Sequence, residues 1–396
     1  MATTLGSFRE KKFGAALLIV AAVIVGLVLD RWLEALLPDS SIRQLILLVG
    51  CNMMVALSLN VINGLAGQFS IGHAGFLAVG AYSAAIVASS LHTALGSPEP
   101  TLLRSFLVVP LSVGVGALFS GLLGLIVGLP SLRLRGDYLA IVTLGFAEIV
   151  RLSIATARLG SADETIGHAF SEGGIFHGIS VAFSSLGGQK GYAGPSGQGV
   201  PLYAGPFWIV VSTVLIAVFC FRLKFSGWGR ALRALREDEI ASASVGVDPT
   251  RYKVTSFVLS SALAGVAGGM LALMRDGNPV VQPDSFTFQA SFDAITMVIL
   301  GGSGSVIGCM VGAIFVTVTV KLIELLQGID AVVAARTSLD AIGIPLDLNA
   351  LRMMIYAVVL IVLMIVRPEG LFGEREPGFE TKRMKKDGAT KKEVTT

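Results

Sequence analysis

The chain has 396 residues, 53% of them hydrophobic and 14% charged, with a formal net charge of +3. Soluble globular chains carry about 25% charged residues, so the composition excludes a soluble enzyme and a disordered protein; 47 Gly against 14 Pro excludes a collagen-like chain. What is left is an all-α integral membrane protein, because a porin-type barrel alternates apolar and polar residues and would not reach this hydropathy.

At the N-terminus, Arg9, Lys11 and Lys12 precede an apolar run from Phe13 to Leu29. This looks like a signal peptide, but no A-x-A site follows, so it is read as a retained first span. A helix needs about 20 apolar residues to cross ~30 Å of hydrocarbon. On that basis the expected spans are 13–29, 43–62, 70–91, 106–129, 137–156, 206–222, 252–274, 286–300, 305–327 and 350–366. The expectation is thus about ten helices, within a range of 8 to 11, with 286–300 short for a full crossing. Residues 1–12 form an N-terminal segment and 13–366 the transmembrane domain. That domain carries an external insertion at 157–205 and a long loop at 223–251, and a basic tail follows at 367–396. Cys51, Cys220 and Cys309 all lie in apolar stretches and suggest small buried hydrophobes, not a disulfide framework or a metal site.

Charge distribution predicts orientation. If the N-terminus is cytoplasmic and spans alternate, 20 of the 30 Lys and Arg fall on cytoplasmic segments and 8 on external ones, with Arg151 and Lys321 inside spans. The acidic residues split evenly. A bias confined to Lys and Arg is what the positive-inside rule requires, so both termini are expected inside.

Two segments break the apolar pattern with glycine and echo each other: NGLAGQFSIGHAGFLAVGAY (63–82) and LGGSGSVIGCMVGAIFVTV (300–318). Interrupted segments at corresponding places in two halves point to a transport pathway. Glycines let the backbone leave the helix and turn free N–H groups toward a solute or water. Small residues such as Gly72, Gly75, Gly80, Gly308 and Gly312 equally serve close helix packing, and both readings stay open. The candidate pathway residues are Asn60, Asn63, Gln68, Ser70 and His73 at the first break, Gly301, Gly302 and Ser303 at the second, and Asp293 between them. Polar groups at membrane depth are costly unless partnered. His73 alone reads more readily as a helix-packing donor than as a ligand or proton carrier.

The loop at 222–253 holds seven basic residues and the sequence GRALRALREDEIASASVG (229–246). Strong helix formers predict one helix over about 230–244. Its charge order is unusual for a free helix, since Arg230, Arg233 and Arg236 precede Glu237, Asp238 and Glu239, whereas the macrodipole favours acids first. The Arg233–Glu237 pair also has the weaker orientation. A helix so ordered suits a partner's surface, or is an ordinary basic loop. Within spans, Glu148–Arg151 and Lys321–Glu324 are expected as structural pairs, while Asp293 has no basic neighbour at helical spacing. No G-x-x-x-x-G-K-[ST], H-E-x-x-H, Cys/His cluster or nucleophile elbow occurs. No catalytic or metal-binding residue is therefore assigned.

The Gly229, Arg230, Ala231, Arg233, Arg236, Glu237, Asp238, Glu239, Ala241 and Gly246 pattern resembles the coupling loop of ABC importer permeases, whose short helix docks on an ATPase subunit. Over roughly 40–370 the chain is similar to the branched-chain amino acid ABC transporter permeases, in the LivM branch. The resemblance rests on ALSLNVINGLAGQFSIGHAGFLAVGAY (56–82), LRLRGDYLAIVTLGFAEIVR (132–151), VILGGSGSVIGCMVGA (298–313) and RPEGLFG (367–373). LRLRGDY separates this branch from its usual sister permease. The 157–205 segment departs from the family by being about twice the expected length.

The resemblance implies a bacterial inner-membrane permease subunit that moves branched-chain or related amino acids by alternating access. Its implied partners are two ATPases, a sister permease and an extracytoplasmic binding protein. No cofactor is expected in this chain, ATP and Mg being held by the ATPases, and no nucleic acid is expected. Three alternatives remain at this stage: a urea or short-amide permease of the same class, an ion-coupled secondary transporter using Asp293, and a membrane enzyme or scaffold with no transport role, the enzyme being disfavoured by the lack of a catalytic cluster.

Overall fold

A computed structural model of the chain describes residues 2–96, 101–131, 137–157, 186–194 and 197–327, and isolated residues at 358, 365, 371 and 373. The expected tenth span at 350–366, the tail at 367–396, LRLRG at 132–136 and most of the 157–205 insertion lie outside the described residues. So does the Glu324 side chain, and with it the expected Lys321–Glu324 pair.

In chain order the helices are α1 (Ala2–Leu36), α2 (Ser40–Asn60), α3 (His73–Ala94), α4 (Leu102–Ser131), α5 (Asp137–Ala155), α6 (Pro206–Phe225), α7 (Gly227–Glu237), α8 (Glu239–Ser244), α9 (Pro249–Ala272), α10 (Phe288–Gly301) and α11 (Val306–Gln327). A π-helical turn at Val61–Leu65 extends α2. Among the described residues, β structure is limited to two isolated bridges, Tyr192 with Val281 and Ala204 with Met274. Seven of these helices are long and apolar enough to cross a membrane, and Phe288–Gly301 and Val306–Leu322 are shorter apolar helices.

One boundary differs from expectation at the N-terminus. α1 begins at Ala2, not near residue 13, because Glu10, Lys11 and Lys12 are good helix formers. At 1.5 Å per residue its 35 residues reach roughly 52 Å, more than ~30 Å of hydrocarbon, so its charged first turns extend beyond the bilayer core.

The core is a four-helix contact of α9 with α4, α3 and α2. Small residues make it possible: a side chain on Gly80 of α3 would strike the backbone of Gly265 on α9, and one on Gly116 of α4 would lie 2.7 Å from the Gly80 carbonyl oxygen. Backbones this close need no bulky side chains between them, which is the usual solution where lipid removes the hydrophobic drive for association. Ser120 of α4 seals the contact, its hydroxyl donating to the Ser261 carbonyl at 2.7 Å. The glycines read in sequence as either packing or pathway lie in close packing contacts. A Cβ at Gly72, Gly75, Gly308 or Gly312 would meet Thr143, Ala147, Gly301 or Met297 respectively. Cys51, Cys220 and Cys309 are buried thiols outside any disulfide, as expected. Large apolar side chains stay exposed along α1, α4 and α5, among them Leu17, Leu103, Ile126, Ile141 and Ile149. These faces suit contact with lipid.

The bundle has two distinct ends. One gathers the α1–α2 connection, residues 186–205 and residues 273–287. They are tied by Arg275–Asp30 and Arg43–Asp276 ion pairs (both 3.2 Å), by Arg151–Asp284 (3.3 Å) and by a hydrogen bond from Tyr82 Oη to the Val281 carbonyl (2.8 Å). Burial raises the Tyr192 phenol pKa here. The opposite end gathers α7, α8 and both glycine breaks.

Candidate functional site: two breaks and a docked helix pair

The first break starts where α2 widens into the π turn and then leaves the helix at residues 66–72. A π turn inserted in an α-helix is a frequent mark of function. The second break is the tight turn at residues 302–305, between α10 and α11, with Gly302 and Gly304 both at positive φ.

Asn60 joins the two. Its Oδ1 accepts from the Gly304 N–H at 2.8 Å, and its Nδ2 donates to the Ser305 carbonyl at 3.3 Å. Asn60 is buried, so its amide satisfies the Gly304 N–H, which the turn would otherwise leave orphaned, and shares the Ser305 carbonyl with the Cys309 N–H. Gly64 supplies the room: a Cβ there would sit 2.5 Å from Gly304 N. The residue pattern left both breaks open as pathway or packing; the structure brings them into contact.

The other first-break residues have defined roles. Asn63 Oδ1 accepts from Ser70 N (3.2 Å), closing the 63–70 loop on itself. His73 Nε2 lies 2.7 Å from Ser58 Oγ, joining α3 to α2. Thr143 of α5 accepts from Ile71 N and Ser291 of α10 accepts from Ala74 N, at 3.2 and 3.0 Å. Ser291 thus serves an N–H in the first turn of α3, which helix geometry leaves unpaired, and Thr143 serves one just before the helix. Gln68 is different: it is 6% exposed, and neither of its side-chain polar atoms has a hydrogen-bond partner among the described residues. At the second break Gly301 and Gly302 are buried, and Ser303 is half-buried in the turn. Leu371, inside RPEGLFG, donates its N–H to the Leu300 carbonyl (3.0 Å) beside this turn.

The loop at 223–251 corrects the sequence reading. The expected single helix over about 230–244 is two helices. Asp238 is extended (φ −151°, ψ 112°), and its carboxylate caps α8 by accepting from Ile240 N and Ala241 N, both at 2.9 Å. The unusual charge order is thereby explained: Asp238 closes α7 and, with Glu239, starts α8, where the macrodipole favours acids. Arg233 does not pair with Glu237; its Nη2 donates to the Lys224 carbonyl at 3.4 Å.

The residues grouped in sequence as one coupling motif divide between two sides. Gly229 is buried against the carbonyls of Leu223 and Lys224 and is capped by Ser226 Oγ (3.1 Å). Arg230 donates to the Phe225 carbonyl (3.3 Å), and Ala231 is half-buried. Leu232 packs in a small apolar cluster with Leu65 and Ala66 of the first break, beside Trp228 and Tyr252. Arg236 crosses to the break itself: Nη1 donates to the Gly64 carbonyl at 2.8 Å, and its stem lies on Gly67. Gly67 has φ +65°, and a Cβ there would meet Arg236 Cγ at 2.5 Å. Glu239 turns back to Lys253 of α9 (2.7 Å), and Gly246 (φ +91°) ends α8. Facing outward are Glu237, Asp238 and Ala241 with two large apolar side chains, Ile240 at 81% and Val245 at 78% exposure.

The spans' charges are placed as follows. Glu148 and Arg151 pair as expected, and Arg151 reaches Asp284 as well. Asp293 is half-buried on α10 and lines a cavity of about 370 Å3 between α2, α10, α11 and residues 278–286. Asn52 Nδ2 donates to Thr317 Oγ1 (2.8 Å) in its wall. Sequence reasoning missed Ser58, Thr143 and Ser291, since single hydroxyls in apolar helices carry no spacing signal. Gly64, Gly304 and Ser305 were inside the glycine-broken segments and could have been found there. Among the described residues no His, Cys, Asp or Glu group could hold a metal ion.

The family described as the permease component of the branched-chain amino acid transport system matches residues 41–364. The chain is 34% identical to the high-affinity branched-chain amino acid transport system permease protein LivM of Salmonella typhimurium, over 83% of this chain and 69% of that one. It is 33% identical to the LivM protein of Escherichia coli, over 86% and 71%. A 115-residue stretch is 34% identical to the LivH permease protein of Salmonella typhimurium, covering 29% of this chain and 36% of LivH. No solved structure matches. An all-helical, multi-pass chain matched over this length belongs to the branched-chain amino acid transport permease family.

Proposed function

We propose that this chain is one permease subunit of an ATP-driven importer of branched-chain or related amino acids in a bacterial inner membrane. In this reading the end of the bundle carrying α7, α8 and the breaks faces the cytoplasm, in line with the 20-to-8 bias of basic residues. The termini are cytoplasmic. ATP and Mg are bound by two partner ATPases, a sister permease completes the pore, and an extracytoplasmic binding protein delivers the solute to the opposite end.

One observation carries the reading. The α7–α8 pair presents Ile240 and Val245 outward while its inner face grips the first break through Leu232 and Arg236. Exposed apolar anchors on a charged helix pair suit a protein partner. The grip behind them carries that partner's motion to Gly64, and Asn60 passes it to the second break. Alternating access then consists of the two breaks separating and rejoining. An ion-coupled transporter acting alone would have no need of such a pair.

The test is Ile240→Asp with Val245→Asp in the assembled transporter. The pair is expected to lose co-purification with the ATPases and to lose ATP-dependent uptake, while the permease still inserts in the membrane. Uptake persisting without ATPase subunits, driven by an ion gradient, would overturn the reading.

A further inference from the structure

The groove between α6 and α9 plays no part in the grip of α7 and α8 on the breaks. Ser212, Leu215, Ile216 and Phe219 of α6 and Leu263 and Val266 of α9 line it, and it holds about 290 Å3. Leu215 and Phe219 are 45% and 39% exposed, so the groove opens outward from the bundle. At 1.5 Å per residue, Ser212 stands roughly 20 Å from the end of α6 at Phe225, and Leu263 roughly 21 Å from the start of α9 at Pro249. Phe219 stands roughly 9 Å from Phe225. The groove thus runs from near the bilayer midplane toward the end of the bundle that carries α7 and α8.

At that end the same stripe of α6 turns basic. Leu215, Phe219 and Arg222 follow at i, i+4 and i+7 and share one helix face, and Arg222 is exposed. Arg230 and Arg233 of α7 converge on the end of α6, donating to the Phe225 and Lys224 carbonyls at 3.3 and 3.4 Å. Arg222, Arg230 and Arg233 form no ion pair among the described residues. The Arg233 Nε is also buried without a hydrogen-bond partner among them. Asp238 and Asp248 are engaged in capping α8 and α9, and Glu239 holds Lys253, so these acids do not neutralise the cluster. Trp228, in the same turn of α7 as Arg230, packs on Tyr252 of α9 at 5.5 Å. Aromatic side chains at the ends of spans mark the membrane interface.

We propose that the groove and its basic end bind an anionic phospholipid of the cytoplasmic leaflet, with one acyl chain between α6 and α9 and the headgroup phosphate on Arg222 and Arg230. The proposal rests on the permease reading only in taking the α7–α8 end as cytoplasmic. Any lipid can fill an apolar groove; the guanidinium groups are what select the headgroup. A guanidinium matches a phosphate with two parallel N–H donors, and basic pockets between spanning helices on the cytoplasmic side suit anionic headgroups. Each arginine carries five donors, so the contacts to the α6 carbonyls leave others for a phosphate. A lipid held this way ties α7 to the end of α6 and steadies the helix that carries Arg236.

The test places the complete transporter in phosphatidylcholine nanodiscs with a trace of phosphatidylglycerol or phosphatidylcholine bearing the same photoreactive acyl chain. Phosphatidylglycerol should label residues 212–219 and 263–266 roughly tenfold more than phosphatidylcholine, the scale of two basic residues at an anionic headgroup. Arg222→Gln with Arg230→Gln should remove the preference, and the two lysine replacements should keep part of it. Leu263→Trp, which fills the groove and leaves the charges, should lower labelling by both lipids. Uptake per ATP should fall when phosphatidylglycerol is withheld, and the double glutamine variant should no longer respond to lipid composition. Equal labelling of the parent protein by the two lipids, a preference that survives the double glutamine variant, competition by inorganic phosphate alone, or an unlabelled groove, as a protein seated there would give, would each overturn the proposal. Labelling does not need transport, so the two readings fail separately. Lost lipid preference with ATP-dependent uptake intact sinks the lipid site alone; preferential labelling of a transporter without ATP-dependent uptake sinks the permease reading alone.

Discussion

The two glycine breaks differ in how they are held. The second is a short turn, residues 302–305, buried and fastened to the first by both functional atoms of Asn60. The first is longer, begins with a π turn, buries an amide at Gln68 with no partner among the described residues, and is gripped from outside the bundle by Arg236. Similar sequences have thus become unlike devices. A satisfied tight turn has one good conformation. A break that carries unpaired buried polar atoms sits closer in free energy to an alternative, and the first break is also the one within reach of the α7–α8 pair. In the proposed cycle it is driven and the second follows.

The strongest way to break this contrast is at Asn60. Asn60→Leu removes the donor and acceptor that join the breaks and strands Gly304 N in a dry setting, while the Ser305 carbonyl keeps the Cys309 N–H. At about 1–3 kcal/mol for the stranded group, the variant should unfold at lower temperature and show no uptake. Wild-type thermal stability would mean that the breaks do not depend on each other. Arg236→Ala should come next. The cluster around Leu232 remains, so assembly with the ATPases should persist and ATP hydrolysis continue. Uptake per ATP should fall about tenfold, the scale of losing a hydrogen bond from a charged donor. Arg236→Lys keeps the charge but not the reach and geometry of the guanidinium, and should recover little of the coupling. Last is Ser303→Ala. The contacts found between the breaks run through Asn60 and the backbone of the second turn, so the change should stay within about 0.5 kcal/mol in stability and within twofold in uptake. A larger loss of uptake would show that solute meets this side chain and that the second break is more than a follower.

Much of the fold was legible because membrane helices announce themselves by length and hydropathy: nine of the ten expected spans correspond to described helices, seven of them long enough to cross. The breaks were legible as glycine clusters, but their contact was not, since nothing in Asn60 points to a turn more than two hundred residues away. The loop at 223–251 shows a different limit. Its residues favour helix throughout, and only the extended backbone at Asp238 splits it. The signal was present in the charge order, since acids placed after arginines fit the start of a new helix better than the end of an old one. Reading that order as adaptation to a partner overlooked the simpler capping explanation. The direction of Arg236 had no signal at all: its exposed neighbours Glu237 and Asp238 look outward from an adjacent stretch of chain, and only the docking of Leu232 turns Arg236 toward Gly64.

The central claim is that Arg236 couples the partner-facing helices to the breaks. Distance measurement between spin labels at Phe69→Cys and Ser303→Cys, one on each break, tests it in the assembled transporter, where the native cysteines are buried. The account predicts that ATP binding shifts the 69–303 distance distribution and that Arg236→Ala removes the shift while ATP still binds. The same shift with and without Arg236 would contradict it.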